Sequence, residues 1–200
     1  MSGFEIKNLA NPLYFEENVL PPHSDHKYYG SEAELASGCS SFKYSLNGLW
    51  HIHVARNLAE RPEGFEASDY DCRHWDTIAV PAHIQMEGYG KPHYTNTTYP
   101  WDGHEAIVPG ELPQENPVAS YVKYFAVPEG WQDVRISFQG AETALAVWLN
   151  GHFVGYSEDS FTPSDFDLTP YVQAGENKLA VQVFRFASGS WLEDQDFWRF

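Results

Sequence analysis

The end of this chain, Gly189–Phe200, combines three carboxylates with four aromatic side chains. Carboxylate oxygens bind sugar hydroxyls and hard cations, and flat aromatic rings cover the apolar faces of sugars. The segment therefore suits one edge of a carbohydrate pocket. Two of its rings, Trp191 and Trp198, lie outside any regular strand pattern and are candidates for contact with a sugar or with another domain.

A second polar and aromatic segment, Pro92–Pro100, reads Pro-His-Tyr-Thr-Asn-Thr-Thr-Tyr-Pro. The side-chain amide of Asn96 both donates and accepts hydrogen bonds, so it could orient a sugar hydroxyl. It could equally stabilise a turn by bonding to its own backbone. Residue types alone leave both interpretations open.

The acidic cluster Glu193, Asp194 and Asp196 raises the question of catalysis, because glycosidases use a pair of carboxyl groups. Acidic residues that are neighbours in sequence are more often solvated or paired with cations than catalytic. Retaining hydrolysis needs its two carboxyl groups about 5 Å apart across the scissile bond. Nothing in the sequence indicates that any two carboxyl groups of this chain lie at that separation. The histidines, among them His51 and His53 at strand spacing, match no zinc-ligand pattern.

The elements that must position these residues are short strands. Six segments are β-branched or aromatic, mostly alternate with period two, and are bounded by Gly, Pro, Asn or Asp. They are Leu49–Val54, Thr77–Val80, Tyr121–Val127, Val134–Phe138, Leu145–Leu149 and Leu179–Phe184. The pattern predicts an all-β fold, a β-sandwich or jelly roll of antiparallel strands.

The connections are equally informative. Asn150-Gly151 is the strongest short-range hairpin signal, and it should join Leu145–Leu149 to Phe153–Tyr156. Residues 81–117 form a long aromatic-rich connection that we expect to be ordered against another domain. The first 44 residues, with Pro21-Pro22 and a Ser/Gly-rich stretch, read as an irregular lead-in to a domain spanning 45–200.

Composition narrows the class of protein. A formal net charge of −16 and a pI near 4.8 argue against nucleic-acid binding, which needs Lys and Arg patches. No stretch is long enough to span a bilayer, and no secretory signal pattern opens the chain, so no membrane association and a cytoplasmic location are expected. Cys39 and Cys72 are expected to be free thiols, because a domain of this size needs no disulfide.

A co-linear series of motifs accompanies the two segments. It comprises Ser45–Trp50, Val80–Tyr89, Trp148–Gly151, Val154–Tyr156, Ser164–Leu168, Ala174–Val181 and Leu192–Trp198. Together these motifs resemble the amino-terminal sugar-binding domain of the large bacterial β-galactosidases of glycoside hydrolase family two. The resemblance implies the jelly-roll, galactose-binding-like version of the sandwich.

The resemblance also implies site residues. The amide matching Asn96 contacts galactose in the family, Thr97 lines the same pocket, and Asp196 helps to bind both galactose and a sodium ion. Glu193 and Asp194 are expected to be structural.

For the parent enzyme, the resemblance implies hydrolysis of terminal non-reducing β-D-galactosyl residues, with lactose the obvious substrate, and assembly as a homo-oligomer with further domains. In the family the two catalytic glutamates and the magnesium ion lie on a later (β/α)₈ barrel, so no catalytic residue is assigned here. The chain alone is expected to be inactive. Two rival hypotheses remain: a stand-alone carbohydrate-binding module, and an oligomer-assembly module without sugar binding.

Overall fold

The computed structural model describes residues 3–24, 26–196 and 198–199. A seven-stranded antiparallel sheet forms its centre, and a two-stranded sheet packs on part of one face. In chain order the strands are β1 Glu16–Glu17, β2 Gly48–Ala55, β3 Asp76–Val80, β4 His93–Tyr94, β5 Val118–Ala126, β6 Arg135–Phe138, β7 Ala144–Leu149, β8 His152–Ser157, β9 Ser164–Asp167, β10 Glu176–Phe184 and β11 Trp198–Arg199.

The helices are few and short. The α-helices are α1 Glu32–Ser37 and α2 Ser190–Glu193, and the 3₁₀ helices are Ile6–Ala10, Ile84–Glu87 and Thr169–Tyr171. No helix among the described residues is long and apolar enough to cross a bilayer.

The main sheet runs in the order β1-β8-β7-β10-β5-β2-β3, and the small sheet pairs β6 with β9. A third pair, β4 with β11, lies outside both. Antiparallel sheets and few helices confirm the predicted all-β class. Each of the six predicted strands is present, and each differs from its predicted bounds by one to three residues at one or both ends.

Alternation along the strands divides their side chains between two cores, one on each face of the main sheet. On the first face, residues such as Ile52 and Val181 pack against Ile136 and Phe166 of the small sheet. The second face is covered by the segments before β2 and between β2 and β3. Its cluster includes Leu9, Phe65, Cys72, Val122, Trp148, Tyr156 and Phe184.

A buried lysine fastens one of these covering segments. The Lys178 ammonium group donates to the carbonyl oxygens of Phe65, Ala67 and Tyr70 at 2.6, 2.7 and 2.6 Å. Burial lowers the pKa of Lys178, while the nearby Cys72 thiol acts in the opposite direction. Three acceptors satisfy all three ammonium donors, so the charge can remain inside the domain.

The hairpin prediction is confirmed. β7 pairs with β8, and the two turn residues Asn150 and Gly151 have φ of 52° and 83°. The Asn150 side chain also donates to the Tyr171 carbonyl at 2.9 Å and accepts from the Lys178 amide at 2.9 Å. Asn150 therefore ties the turn to the 3₁₀ helix that follows β9 and to the beginning of β10, as well as closing its own hairpin.

The lead-in is less irregular than its composition predicts. β1 pairs with β8, and Leu9 is fully buried. Helix α1 forms because Ser31 accepts a hydrogen bond from the Glu34 amide at 3.2 Å while Glu34 accepts one from the Gly30 amide at 2.8 Å. This is close to a capping box, a signal that a six-residue helix is too short to show by periodicity. The domain boundary after residue 44 stays a prediction.

The two cysteines are free thiols, as predicted: Cys39 is exposed and Cys72 is buried.

Gly155, in the Val-Gly-Tyr motif, has no room for a side chain. A Cβ there would lie 2.5 Å from the Phe166 ring and 2.6 Å from the Glu17 carbonyl oxygen. We predict that Gly155→Ala lowers the free energy of unfolding by about 1–3 kcal/mol through overpacking. Gly140→Ala is the matched control, because its nearest contact would be an ordinary 3.5 Å. Urea unfolding checks both, and equal stabilities would contradict this account.

Candidate functional site

The two segments that carry the predicted site meet in the structure. β4 pairs with β11 through Tyr94 opposite Trp198 and His93 opposite Arg199. Just outside these strands, Thr98 forms a parallel bridge with Asp196. The connection between β3 and β5 and the terminal segment therefore run side by side, although they are far apart in sequence.

This bridge brings the three predicted sugar-binding residues into one neighbourhood. Asn96 and Thr97 immediately precede Thr98, the residue bridged to Asp196. All three side chains are exposed. An amide, a hydroxyl and a carboxylate are thus displayed together at the surface, where a ligand can reach them.

The backbone of this turn is strained at Thr97, whose φ is 66°. A β-branched residue rarely adopts positive φ, and such outliers cluster at binding and catalytic sites. The side-chain hydrogen bond that braces the turn comes from Thr95, whose hydroxyl donates to the Thr98 carbonyl at 3.1 Å. Thr95, rather than Asn96, therefore supplies this stabilising contact.

An aromatic cluster fixes the turn to the terminal segment. The Tyr99 and Trp101 rings stack at 5.0 Å with an interplanar angle of 5°, and the Trp191 ring lies 4.9 Å from each. Trp101 in turn contacts Phe186 edge-on at 5.5 Å. The Tyr99 hydroxyl donates to the Trp191 carbonyl at 2.8 Å.

These contacts give Trp191 a structural role at the base of the site. Its half-buried indole packs against the rings of Tyr99 and Trp101 in the same domain. The expected contact of Trp191 with a sugar or with another domain stays a prediction. The prediction for Trp198 concerns a side chain that lies outside the described part of the chain.

Glu158 secures the beginning of the terminal segment. Its buried carboxylate accepts hydrogen bonds from the Tyr156 hydroxyl at 2.6 Å, the Ser188 hydroxyl at 2.9 Å and the Gly189 amide at 2.7 Å. Ser188 also donates its amide to the Leu9 carbonyl at 2.6 Å. Strand β8 and the start of α2 thus converge on one carboxylate, and Ser188 links them to the N-terminal segment.

Burial raises the pKa of Glu158, and the hydrogen bonds from its three donors only partly oppose that shift. Burial and the adjacent Glu158 charge raise the pKa of Tyr156 as well, so the phenol keeps its proton and remains a donor. Sequence analysis did not identify Glu158, because a single acid after a strand carries no local signal of its burial.

The other acids of the terminal segment differ in burial, and their structural roles stay predictions. Asp194 is fully buried at the end of α2, where its amide donates to the Ser190 carbonyl at 3.0 Å. Glu193 is exposed.

The donor chemistry around Asp196 fits a weakly held hard cation. An exposed carboxylate stands beside a turn rich in hydroxyl and carbonyl oxygens, the ligand type that such cations prefer. Across the described residues, no three His, Cys, Asp or Glu side chains cluster in a way that could hold a metal ion. One carboxylate with neutral oxygens suits a monovalent ion better than a divalent one.

Solved structures with similar folds support the architecture. A β-glucuronidase of glycoside hydrolase family 2 matches 70% of this chain and 13% of its own, with a TM-score of 0.51 and 24% identity. The β-glucuronidase of Bifidobacterium dentium, complexed with coumarin-3-O-glucuronide, matches 70% of this chain and 19% of its own, with a TM-score of 0.50 and 23% identity. At this identity the likeness concerns the fold alone.

Sequence relatives are much more similar. A β-galactosidase from Halalkalibacterium halodurans is 57% identical over 190 residues, which cover 93% of this chain and 19% of the relative. A β-galactosidase from Lactobacillus delbrueckii subsp. bulgaricus is 49% identical, and the match covers 96% of this chain and 19% of the relative. The β-galactosidase large subunit of Leuconostoc lactis is 47% identical, and the match covers 96% of this chain and 33% of the relative.

The chain therefore spans about a fifth to a third of the length of these relatives. The family profile described as "Glycosyl hydrolases family 2, sugar binding domain" matches residues 43–200. The chain accordingly belongs to glycosyl hydrolase family 2, and the matched residues are its sugar-binding domain.

Proposed function

We propose that this chain is the sugar-binding part of a β-galactosidase and supplies one wall of the galactose pocket. The parent enzyme would hydrolyse terminal non-reducing β-D-galactosyl residues of lactose-type substrates. The observation that carries this proposal is the Thr98–Asp196 bridge, which brings Asn96, Thr97 and Asp196 together in a chain similar to β-galactosidases.

Each residue has a chemical task in the proposed wall. The Asn96 amide donates to one sugar hydroxyl and accepts from another, which fixes the orientation of the ring. The Asp196 carboxylate accepts from a hydroxyl, and a sodium ion beside it offsets its charge next to a neutral sugar. Thr97 lines the pocket, and its strained φ of 66° sets the direction in which the turn presents Asn96.

Catalysis belongs to the rest of the parent. By family resemblance, the acid/base and nucleophilic glutamates and a magnesium ion lie on a barrel domain outside this sequence, and their double displacement retains the anomeric configuration. The chain by itself would therefore show no turnover. We also propose that the parent enzyme is cytoplasmic and assembles as a homo-oligomer.

The rival interpretations make different predictions for the isolated chain. A stand-alone carbohydrate-binding module would bind galactose measurably, and an assembly module would self-associate without binding sugar. The proposed single wall binds galactose very weakly, since a small ligand gains affinity only when most of its surface is enclosed. Similarity to β-galactosidases along nearly the whole chain favours the enzyme domain.

We predict that Asp196→Asn in the parent enzyme raises the KM for a β-galactoside about tenfold, the loss expected for one charge-assisted hydrogen bond. It should also reduce the response of KM to sodium, because the amide carries no charge to attract the cation. Steady-state kinetics across a sodium series, with ionic strength held constant, measure both effects.

Glu193→Gln is the matched control for this experiment. It changes the same charge on the same segment at another exposed position, so KM and sodium response should stay at the parental values. If Asp196→Asn left KM and its sodium dependence unchanged, Asp196 would not be part of the pocket.

A second prediction concerns Glu158. Glu158→Leu leaves three donors without an acceptor, so we expect a loss of about 2–4 kcal/mol in unfolding free energy and a higher KM through displacement of Asp196. Glu158→Gln keeps an acceptor oxygen and should retain a nearly normal KM. Equal KM values for the Leu variant and the wild type would show that Glu158 does not position the site.

The pH dependence of stability separates these variants further. The raised pKa of Glu158 means that its favourable contribution is present below the ordinary pKa of a glutamate and is lost as pH rises through the raised value. Glu158→Gln lacks this titration, so its stability relative to wild type should improve from acid to neutral pH. Urea unfolding of Glu158→Gln and of the wild type, at an acid pH and at neutral pH, measures the difference in unfolding free energy.

A further inference from the structure

Asn116 is a fully buried polar residue at the end of the long connection that carries Asn96. It lies just before β5, and its side chain bonds to the main chain of Phe186, just after β10. The Asn116 amide nitrogen donates to the Phe186 carbonyl at 2.8 Å, and the amide oxygen accepts from the Phe186 N–H at 3.0 Å. One side chain therefore satisfies both main-chain groups of a residue 70 positions away.

The strand ladder ends immediately before this contact. β5 and β10 pair as far as Val118 and Phe184. Beyond that pair, the Arg185 amide donates to the Pro117 carbonyl at 3.1 Å. Pro117 has no N–H with which to return the bond. The Asn116 side chain then makes the next contact between the two segments.

Phe186 lies at the base of the ring cluster that supports the candidate site. Its buried ring meets Trp101 edge-on at 5.5 Å, with an interplanar angle of 88°. Trp101 in turn contacts Tyr99 and Trp191, which belong to the two segments that meet at the site. Both segments therefore depend on where Phe186 is held.

Burial makes the Asn116 amide hard to replace. Its side chain is 0% exposed, so water has no direct access to the Phe186 groups that it pairs. Folded proteins rarely leave buried main-chain groups unpaired. Truncation of Asn116 should accordingly shift Phe186 toward other partners, and the shift would reach the ring cluster.

We propose that Asn116 is a positioning residue of the galactose pocket, which holds Phe186 and thereby fixes the ring cluster that aligns Asn96 with Asp196. The inference rests on the proposed function, because it takes these two residues to bind the sugar. Asn116 is buried beneath the site and acts only through their alignment. Glu158 anchors the terminal segment from β8, and Asn116 anchors it from the connection before β5.

Steady-state kinetics of the full-length parent test this role. Asn116→Ala should raise the KM for a β-galactoside about tenfold, as for the loss of one hydrogen bond to the sugar. It should also reduce the response of KM to sodium, because Asp196 is misaligned. KM does not depend on the fraction of enzyme that is folded, so a loss of stability alone would leave it unchanged.

Asn177→Ala is the matched control. Asn177 is also 0% exposed, and its amide makes four hydrogen bonds near the opposite end of the nine-residue strand β10. That position is roughly 25 Å from Phe186, at about 3.3 Å per residue along a strand. Asn177→Ala should destabilise the enzyme at least as much as Asn116→Ala and leave KM and its sodium response at the parental values.

Asn116→Asp tests the hydrogen bonds themselves. A protonated carboxyl group has the shape of the amide and can both donate to the Phe186 carbonyl and accept from its N–H. Burial raises the pKa of a carboxyl group. At acid pH this variant should therefore have a KM close to that of the wild type at the same pH. A KM as high as that of Asn116→Ala under these conditions would overturn the role assigned to the two bonds.

Asp196→Asn, measured in parallel, separates this inference from the proposed function. If Asp196→Asn raises KM while Asn116→Ala leaves it at the parental value, Asn116 is not a positioning residue and the proposed function stands. If Asn177→Ala raises KM as much as Asn116→Ala, the effect is not specific to the ring cluster and the inference is wrong. If neither Asp196→Asn nor Asn116→Ala changes KM, the proposed function fails and the inference fails with it.

Discussion

The buried Glu158 carboxylate is the interaction on which the candidate site depends. It accepts hydrogen bonds from β8 and from the start of α2, so it determines where the terminal segment leaves the main sheet. The positions of the residues that follow, including Asp196, depend on this anchor. A buried acid is costly unless its oxygens are paired. The three donors come from β8 and from the adjacent Ser188 and Gly189 at the start of α2, so the pairing constrains both segments.

From this anchor the site is assembled in two further steps. The ring cluster of Tyr99, Trp101 and Trp191 joins the terminal segment to the loop before β5. The Thr98–Asp196 bridge then aligns the two backbones, so that Asn96 and Asp196 face solvent together. Rigid aromatic packing beneath and polar groups above form a surface suited to one wall of a sugar pocket.

Local patterns predicted the strands and the Asn150-Gly151 hairpin, because period-two alternation and positive φ are properties of neighbouring residues. The meeting of Asn96 with Asp196 followed only from family resemblance, since the pairing joins segments distant in sequence. Neither Glu158 nor Lys178 was identified. Their burial depends on acceptors and donors supplied by other segments, such as the carbonyls of Phe65, Ala67 and Tyr70 around Lys178, and no single-sequence pattern records those contacts.

The central claim is that Asn96, Thr97 and Asp196 together form one wall of a galactose pocket. The most direct measurement is a crystal structure of the full-length parent with a bound galactoside in sodium-containing buffer. We expect the Asn96 amide and the Asp196 carboxylate within hydrogen-bonding distance of sugar hydroxyls, with a cation at the Asp196 carboxylate. A galactoside bound in the parent without contact to any of the three residues would contradict it.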